Sequence, residues 1–328
     1  MESPSQPTQA VSRRIEAVDL ARGIALMAMT VYHFTWDLEF FGYVHQGLTA
    51  EFGWKLFARC IASSFLFLVG VSLVLAHGNG IRWPGYWRRL AMVVGAAAAI
   101  SLLTWFAFPS NWIFFGILHQ IAFASLAGLL FLRVPALLTL LVAAGVIAAP
   151  FFLRSEAFDH RMLAWVGLAT FDPRSNDYVP VFPWFGAVLA GMGVAKIAVW
   201  TGVTNHLAGL SLGGWSRPLR FVGRHSLAYY LIHQPAMIAA LWLFSLLFPP
   251  VFTTADFLNS CERECSAVRD TPFCERYCGC LVDKFSAAGL GEDLISGRRE
   301  TIAARLPEMI SLCSAESEVP LTEGEGTP

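Results

Sequence analysis

Seven apolar runs of about 20 residues, the length that crosses the hydrocarbon core of a bilayer, punctuate the first part of the chain. The pattern predicts helices near residues 18–36, 53–77, 90–108, 112–132, 134–153, 181–200 and 222–248. Met1 to Glu16 is polar and the first run lacks a small-residue cleavage pattern, so this run is read as a retained span and not a removable signal. After position 249 the runs stop, and charge clusters such as Glu262-Arg263-Glu264 lie between cysteines. The expected fold class is all-α: a polytopic transmembrane helical bundle of about seven helices with a small disulfide-rich α-helical tail. The expected divisions are a cytoplasmic segment over 1–16, a membrane domain over 17–249 and a tail over 250–328.

Composition agrees. The 328 residues are 55% hydrophobic and 14% charged, where a soluble domain carries about 25% charged residues, and the mean hydropathy is +0.54. Arg13 and Arg14 precede the first run, and Arg82, Arg88, Arg89, Arg133, Lys196, Arg217, Arg220 and Arg224 gather at the even-numbered gaps. Lys55, Arg59, Arg154, Arg161 and Arg174 fall on the other side. The bias predicts a cytoplasmic N-terminus. An odd number of spans then places the tail outside, in the periplasm of a bacterium whose inner membrane holds the bundle.

Cysteine usage bears on that odd count. Cys60 stands alone in the second run and reads as a small hydrophobe. Cys261, Cys265, Cys274, Cys278, Cys280 and Cys313 form an even set in one polar tail, the signature of disulfides in an oxidising compartment. Two Cys-x3-Cys pairs flank a turn at Asp270-Thr271-Pro272, and each pair puts both sulfurs on one helix face. An antiparallel hairpin can pair Cys261 with Cys278 and Cys265 with Cys274, leaving Cys280 for Cys313, one connectivity among the many that six cysteines allow. The rival is a thiolate zinc or copper site. No histidine follows His233, so zinc would need four thiolates, and no metal is expected.

Polar groups at membrane depth carry the functional expectations, because ionisable residues are costly there. At about 100° per residue, Asp19, Arg22, His33 and Asp37 share one stripe of the first helix. His33 and Asp37, four apart, can hydrogen-bond, and a carboxylate on one ring nitrogen fixes the tautomer of the other; a structural polar contact is the plainer alternative. His45 follows in the next loop, where a lone histidine is usually a solvated one. His119 and Gln120 fall inside the fourth run, and Ser226, Tyr229 or Tyr230, and His233 share a face of the last. Interhelical hydrogen bonding accounts for such residues equally well. The chain has no Gly-x-Ser-x-Gly elbow, no phosphate-binding Gly-x4-Gly-Lys-Ser/Thr loop, no His-Glu-x2-His pair and no dinucleotide fingerprint. Nucleotide hydrolysis of the soluble type and zinc proteolysis are thereby disfavoured, and no nucleic-acid partner is expected.

Four stretches taken in order resemble a known family. They are Val18-Asp19-Leu20-Ala21-Arg22-Gly23-Ile24-Ala25-Leu26 leading to His33, Phe115-Gly116-Ile117-Leu118-His119-Gln120-Ile121-Ala122, Phe182-Pro183-Trp184-Phe185-Gly186, and Gly223-Arg224-His225-Ser226 through Tyr229-Tyr230 to His233-Gln234-Pro235. Together they are similar to the heparan-α-glucosaminide N-acetyltransferase catalytic-domain family of transmembrane acyltransferases. The resemblance implies that the membrane domain takes an acyl group, acetyl by default, from cytoplasmic acetyl-CoA. It would deliver the group to an amine or hydroxyl of a glycan or amino sugar across the bilayer.

The resemblance also implies a catalytic histidine just beyond the first helix, where His45 falls. Where the lysosomal relative carries asparagine in that helix this chain has His33, so either histidine is a candidate base, with Asp37 orienting His33. Arg22, Arg88, Arg89 and Arg224 are candidates for the CoA phosphates. His119, Gln120, Tyr230 and His233 are candidates for the lining of the substrate tunnel. A homo-oligomer remains open. So do two other classes: a transporter or flippase using the histidines and carboxylate as a proton relay, and a non-catalytic scaffold presenting the cysteine tail.

Overall fold

The computed structural model describes residues 15–78, 80–250, 253–266, 268–295 and 299–318. Arg13 and Arg14 lie outside them. Regular structure among the described residues is entirely helical, as the apolar pattern predicts. The apolar part forms α1 (Glu16–Phe40), α2 (Phe52–His77), α3 (Trp83–Ala107), α4 (Ile117–Ala127), α5 (Ala136–Phe152), α6 (Val181–Trp200), α7 (Val203–Gly209), α8 (Arg217–Arg224) and α9 (Ser226–Leu247).

Each expected span finds a helix, but the seven are unequal. Helices α2, α3, α6 and α9 are long and apolar enough to cross a membrane. Helix α1 has the length, 25 residues, and also carries Glu16, Asp19, Arg22, Asp37 and Glu39. Helices α4, prolonged by a 3-10 turn to Phe131, and α5 are the shorter apolar pieces.

Three boundaries differ from the apolar pattern, each for a local reason. Helix α3 starts at Trp83, with Pro84 in its first turn where proline's missing N–H costs nothing, so Arg88 and Arg89 ride on a helix and not in a loop. Helix α4 starts at Ile117 because Thr104 Oγ1 accepts the Ile113 N–H at 3.0 Å and Ser101 Oγ donates to the Ile113 carbonyl at 2.6 Å, which holds the preceding residues out of the helix. The last run breaks at His225, whose φ/ψ of −104°/31° separates α8 from α9.

The chain divides into two compact units, Met1–Val31 with Leu56–Gln234 and Tyr32–Lys55 with Pro235–Pro328. The three cuts fall inside α1, α2 and α9. The core of the first unit packs Leu66, Leu73 and Val74 of α2 and Ile117 and Ala124 of α4 against Phe185, Val188, Leu189 and Met192 of α6. Between apolar helices in a bilayer, close packing through small residues replaces the hydrophobic drive. Helices α2 and α6 follow that rule reciprocally: Gly70 rests on the Val188 carbonyl and Gly191 on the Phe67 carbonyl, with no room at either place for a Cβ. At the foot of α6, Lys196 Nζ donates to the carbonyls of Phe131 and Val134 at 2.5 and 2.7 Å and to Thr139 Oγ1 at 3.0 Å. One ammonium thus satisfies the turn that joins α4 to α5.

The second unit contains the tail, with helices α10 (Thr254–Ser266), α11 (Thr271–Ala287), α12 (Gly291–Ile295), α13 (Arg299–Ile302) and α14 (Leu306–Glu318). Helices α10 and α11 form the antiparallel hairpin, stapled by Cys261–Cys278 and Cys265–Cys274, and Cys280–Cys313 ties α11 to α14. The two hairpin bridges are those that the i, i+4 spacing favours, and the third joins the cysteines left over. Phe285, wholly buried, centres a small core with Leu281, Leu294, Ile302 and Cys313. So little apolar surface is marginal alone, and the cross-links compensate by restricting the unfolded chain. Cys60 is free and exposed.

Candidate functional site

In the first unit a carboxylate that no sequence spacing marks organises the start of α4. Residues 111–115 run beside 176–179, with Asn176 N–H donating to the Asn111 carbonyl at 2.9 Å and Val179 N–H to that of Phe115 at 3.0 Å. Asp177 is thereby brought to the helix N-terminus, where its Oδ2 accepts the Ile117 N–H at 2.8 Å, a placement favoured by the unpaired first-turn donors and the helix dipole. Gly116 permits the approach, because a Cβ there would overlap the carboxylate. The Tyr230 hydroxyl of α9 donates to the same carboxyl.

Burial outweighs both hydrogen bonds and pushes Asp177 from 3.8 up to about 6. The folded state therefore holds a proton that the unfolded chain gives up. The associated stability is complete below pH 3.8 and is lost as pH rises through about 6, on the order of 2–3 kcal/mol. We expect the thermal midpoint of the protein in detergent to fall over that interval, and the fall to be absent from an Asp177→Asn variant; parallel profiles would refute the assignment.

His119 sits three residues into α4 with both ring nitrogens engaged. Nδ1 accepts the Gly116 N–H at 3.2 Å, which leaves the neutral ring's proton on Nε2 to donate to Ser101 Oγ at 3.1 Å. Gln120, next to it, is fully buried, and neither of its amide atoms has a hydrogen-bond partner among the described residues. A buried amide in that condition calls for a water or a ligand. On α9, His233 Nδ1 lies 2.8 Å from the Tyr230 carbonyl and 3.2 Å from that of Tyr229, so Nδ1 bears the hydrogen and Nε2 the lone pair. Tyr229 stacks on that imidazole at 5.7 Å, and its hydroxyl meets Thr30 of α1 at 2.7 Å.

The arginines separate into three groups. Arg22 bonds Ser72 of α2 and reaches Asp19 at 3.4 Å, so it belongs to a buried network that fixes α1. Arg88 and Arg89 are exposed on α3. Arg224 joins Arg217 and Arg220 in a cleft of about 630 Å³ whose rim is the loop Ser211-Leu212-Gly213-Gly214. Glu16 neutralises Arg220 and Asp19 stands 3.4 Å from Arg224, whereas Arg217 has no carboxylate partner among the described residues. In the sequence Arg217 and Arg220 register only as orientation signals; the short α8, with arginines at i, i+3 and i+7, is the pattern that sets all three toward one cleft.

In the second unit, Asp37 is wholly buried and the His33 ring lies edge-on to Tyr32 at 5.7 Å. His45 occupies an exposed loop whose shape depends on Glu39. That carboxylate accepts the N–H groups of Gly47 and Thr49 at 2.5 and 2.9 Å and the Thr49 hydroxyl at 2.7 Å. His45 Nε2 meets Glu51 Oε1 at 3.1 Å. With the Nε2 hydrogen directed at Glu51, a neutral His45 presents its Nδ1 lone pair outward. The kind of carboxylate-to-imidazole pair expected of Asp37 and His33 is present at Glu51 and His45, six residues apart in a loop and so without a helical spacing to announce it. Among the described residues no cluster of three or more His, Cys, Asp or Glu could hold a metal ion.

Comparison with curated proteins and with solved structures finds no match. Residues 14–235, more than half of the chain and inclusive of every first-unit group described above, match the family described as Heparan-alpha-glucosaminide N-acetyltransferase, catalytic. With its apolar helices and this match, the chain is a membrane protein that belongs to the heparan-alpha-glucosaminide N-acetyltransferase catalytic family, a family of transferases.

Proposed function

We propose that the protein transfers an acetyl group from acetyl-CoA to an amine or hydroxyl of an envelope sugar or glycan, across a bacterial inner membrane with its N-terminus cytoplasmic and its tail periplasmic. The observation that carries this reading beyond the family is the arginine cleft at α8. Arg217, Arg220 and Arg224 beside a Gly-Gly backbone suit the phosphates of CoA, which need several cations and close-approaching N–H groups. Arg22, engaged inside the bundle, orients α1 under this reading, and Arg88 and Arg89 remain secondary candidates for the nucleotide.

In the transfer, the acceptor's nitrogen or oxygen attacks the thioester carbon, the carbon–sulfur bond breaks, and CoA leaves as a thiolate. The acceptor's proton passes to a base and then to the departing sulfur. We assign the base to His45, with Glu51 orienting its ring, and keep His33 with Asp37 as the second candidate. Of the tunnel candidates, Gln120 is the one with an amide donor to offer an oxyanion, since the Tyr230 hydroxyl is committed to Asp177 and the His233 N–H to backbone carbonyls.

The test is thiol release from acetyl-CoA by the purified protein with amino-sugar acceptors. His45→Ala should lower kcat by about 100-fold or more, and Arg217→Ala with Arg224→Ala should raise KM for acetyl-CoA by about 10-fold or more. Unchanged turnover in both His45→Ala and His33→Ala would end the catalytic assignment. Solute flux without acyl-CoA consumption would favour a transporter.

A further inference from the structure

The cysteine-rich tail lies beyond the family match, which ends at residue 235, yet it shares a compact unit with the loop that carries His45. A contact and an electrostatic interaction join them, and both come from one helix. The Arg263 guanidinium of α10 rests against the α-carbon of Gly47, whose φ of +84° and absent side chain admit it. Asp256 lies seven residues earlier on α10. The Thr253 hydroxyl and N–H donate to its carboxylate at 2.6 and 3.0 Å and hold the carboxyl below the usual carboxylate range, and the charge of His45 adds to that lowering.

At about 100° per residue, Asp256 and Arg263 share a face of α10, and that face is opposite Cys261 and Cys265. The disulfides bind one side of α10 to α11, and the other side lies along the loop. The loop has its own anchor on the remaining flank, because Glu39 at the end of α1 holds Gly47 and Thr49. At its start Tyr43 donates to the Phe248 carbonyl at 2.5 Å and packs on Phe244, and Gln46 donates to the Glu39 carbonyl at 2.8 Å, so the Arg263 contact at Gly47 adds a hold from the tail to a loop otherwise tied to α1 and the end of α9.

We infer that the stapled tail is a clamp on the His45 loop, with Arg263 as a positioning residue that holds Gly47 and so sets the imidazole for acyl transfer. This rests on the proposed role of His45 as base. Arginine suits the position because its planar head can lie flat on a glycine backbone while remaining solvated. The disulfides supply the rigidity, since an unstapled α10 of 13 residues is marginal by itself.

The test uses the full-length protein in nanodiscs, as wild type, Arg263→Ala and Arg263→Lys, with hydrogen–deuterium exchange and steady-state kinetics read together. In Arg263→Ala, exchange over residues 43–51 should rise about 10-fold while α11 and α14 stay protected, and kcat should fall about 10-fold with KM for acetyl-CoA unchanged. Arg263→Lys should recover part of both, and chemical reduction of the three disulfides should reproduce both losses. Unaltered exchange in the loop overturns the clamp, and so does a loosened loop with unaltered kcat. Failure of the wild type to release CoA overturns the acyltransferase reading and with it the positioning role, and loop exchange in the same samples shows separately whether the contact itself exists.

Discussion

A Gly191→Val chain is expected to lose the folded membrane domain altogether. A Cβ at 191 would overlap the Phe67 carbonyl oxygen, and one at Gly70 the Val188 carbonyl oxygen. In both cases the obstacle is backbone, so no rotamer change relieves it. The helices would have to separate, and Leu66, Val188, Leu189 and Met192, all with no exposed surface, would lose their mutual contacts. Overpacking typically costs about 1–3 kcal/mol where side chains can yield, and this site offers no such relief. Size-exclusion of detergent extracts should show aggregate in place of a monodisperse peak for Gly191→Val and Gly70→Val. Gly95→Ala and Gly145→Ala supply the control: nothing lies within 4 Å of an added Cβ at either place, and alanine is the better helix former. Folded yields equal across all four variants would show that α2 and α6 do not cross at these glycines.

Lys196→Met should lower the thermal midpoint by about 10 °C, the shift expected for a loss near 3 kcal/mol in a domain of this size. Methionine keeps the length and most of the volume but withdraws three donated hydrogen bonds, and bonds from a charged group are worth about 1.5–3 kcal/mol each before compensation. The carbonyls of Phe131 and Val134 would be left facing apolar surroundings. Lys196→Arg should recover only part of the loss, because a planar fork cannot address three acceptors arranged around a tetrahedral ammonium. Differential scanning fluorimetry on the two variants checks both statements; a Met variant as stable as wild type would mean that the turn between α4 and α5 is solvated.

Lys196 also shows where the sequence could be read and where it could not. As a positive charge at the end of an apolar run it reports orientation, and that is all its neighbours in sequence reveal. Its three acceptors lie 57 to 65 residues away. Asp177 is the same case at the candidate site: one carboxylate in a loop, made significant by Gly116 and Tyr230, which only the fold brings to it. Features set by periodicity were legible. The spans follow from run length, and the disulfide hairpin follows from cysteines four apart. Helix starts at Trp83 and Ile117 were misplaced because a proline in a first turn and two hydroxyls at Ser101 and Thr104 decided them, and neither alters the hydropathy. His45 was legible as a candidate and its partner Glu51 was not, since a loop has no repeat to align the two.

The match to the transferase family ends at residue 235, and there α9 is still in mid-course, running on to Leu247. The border of the match thus falls inside a helix. Grafting this tail onto another member, or trimming it from this one, cannot be done at a neutral seam: any junction at the border divides a helix. A transplant that keeps the second unit whole has to carry the second half of α9 with the tail behind it, and the stretch from Tyr32 to Lys55 as well, so that two separate stretches of sequence travel as one heritable piece.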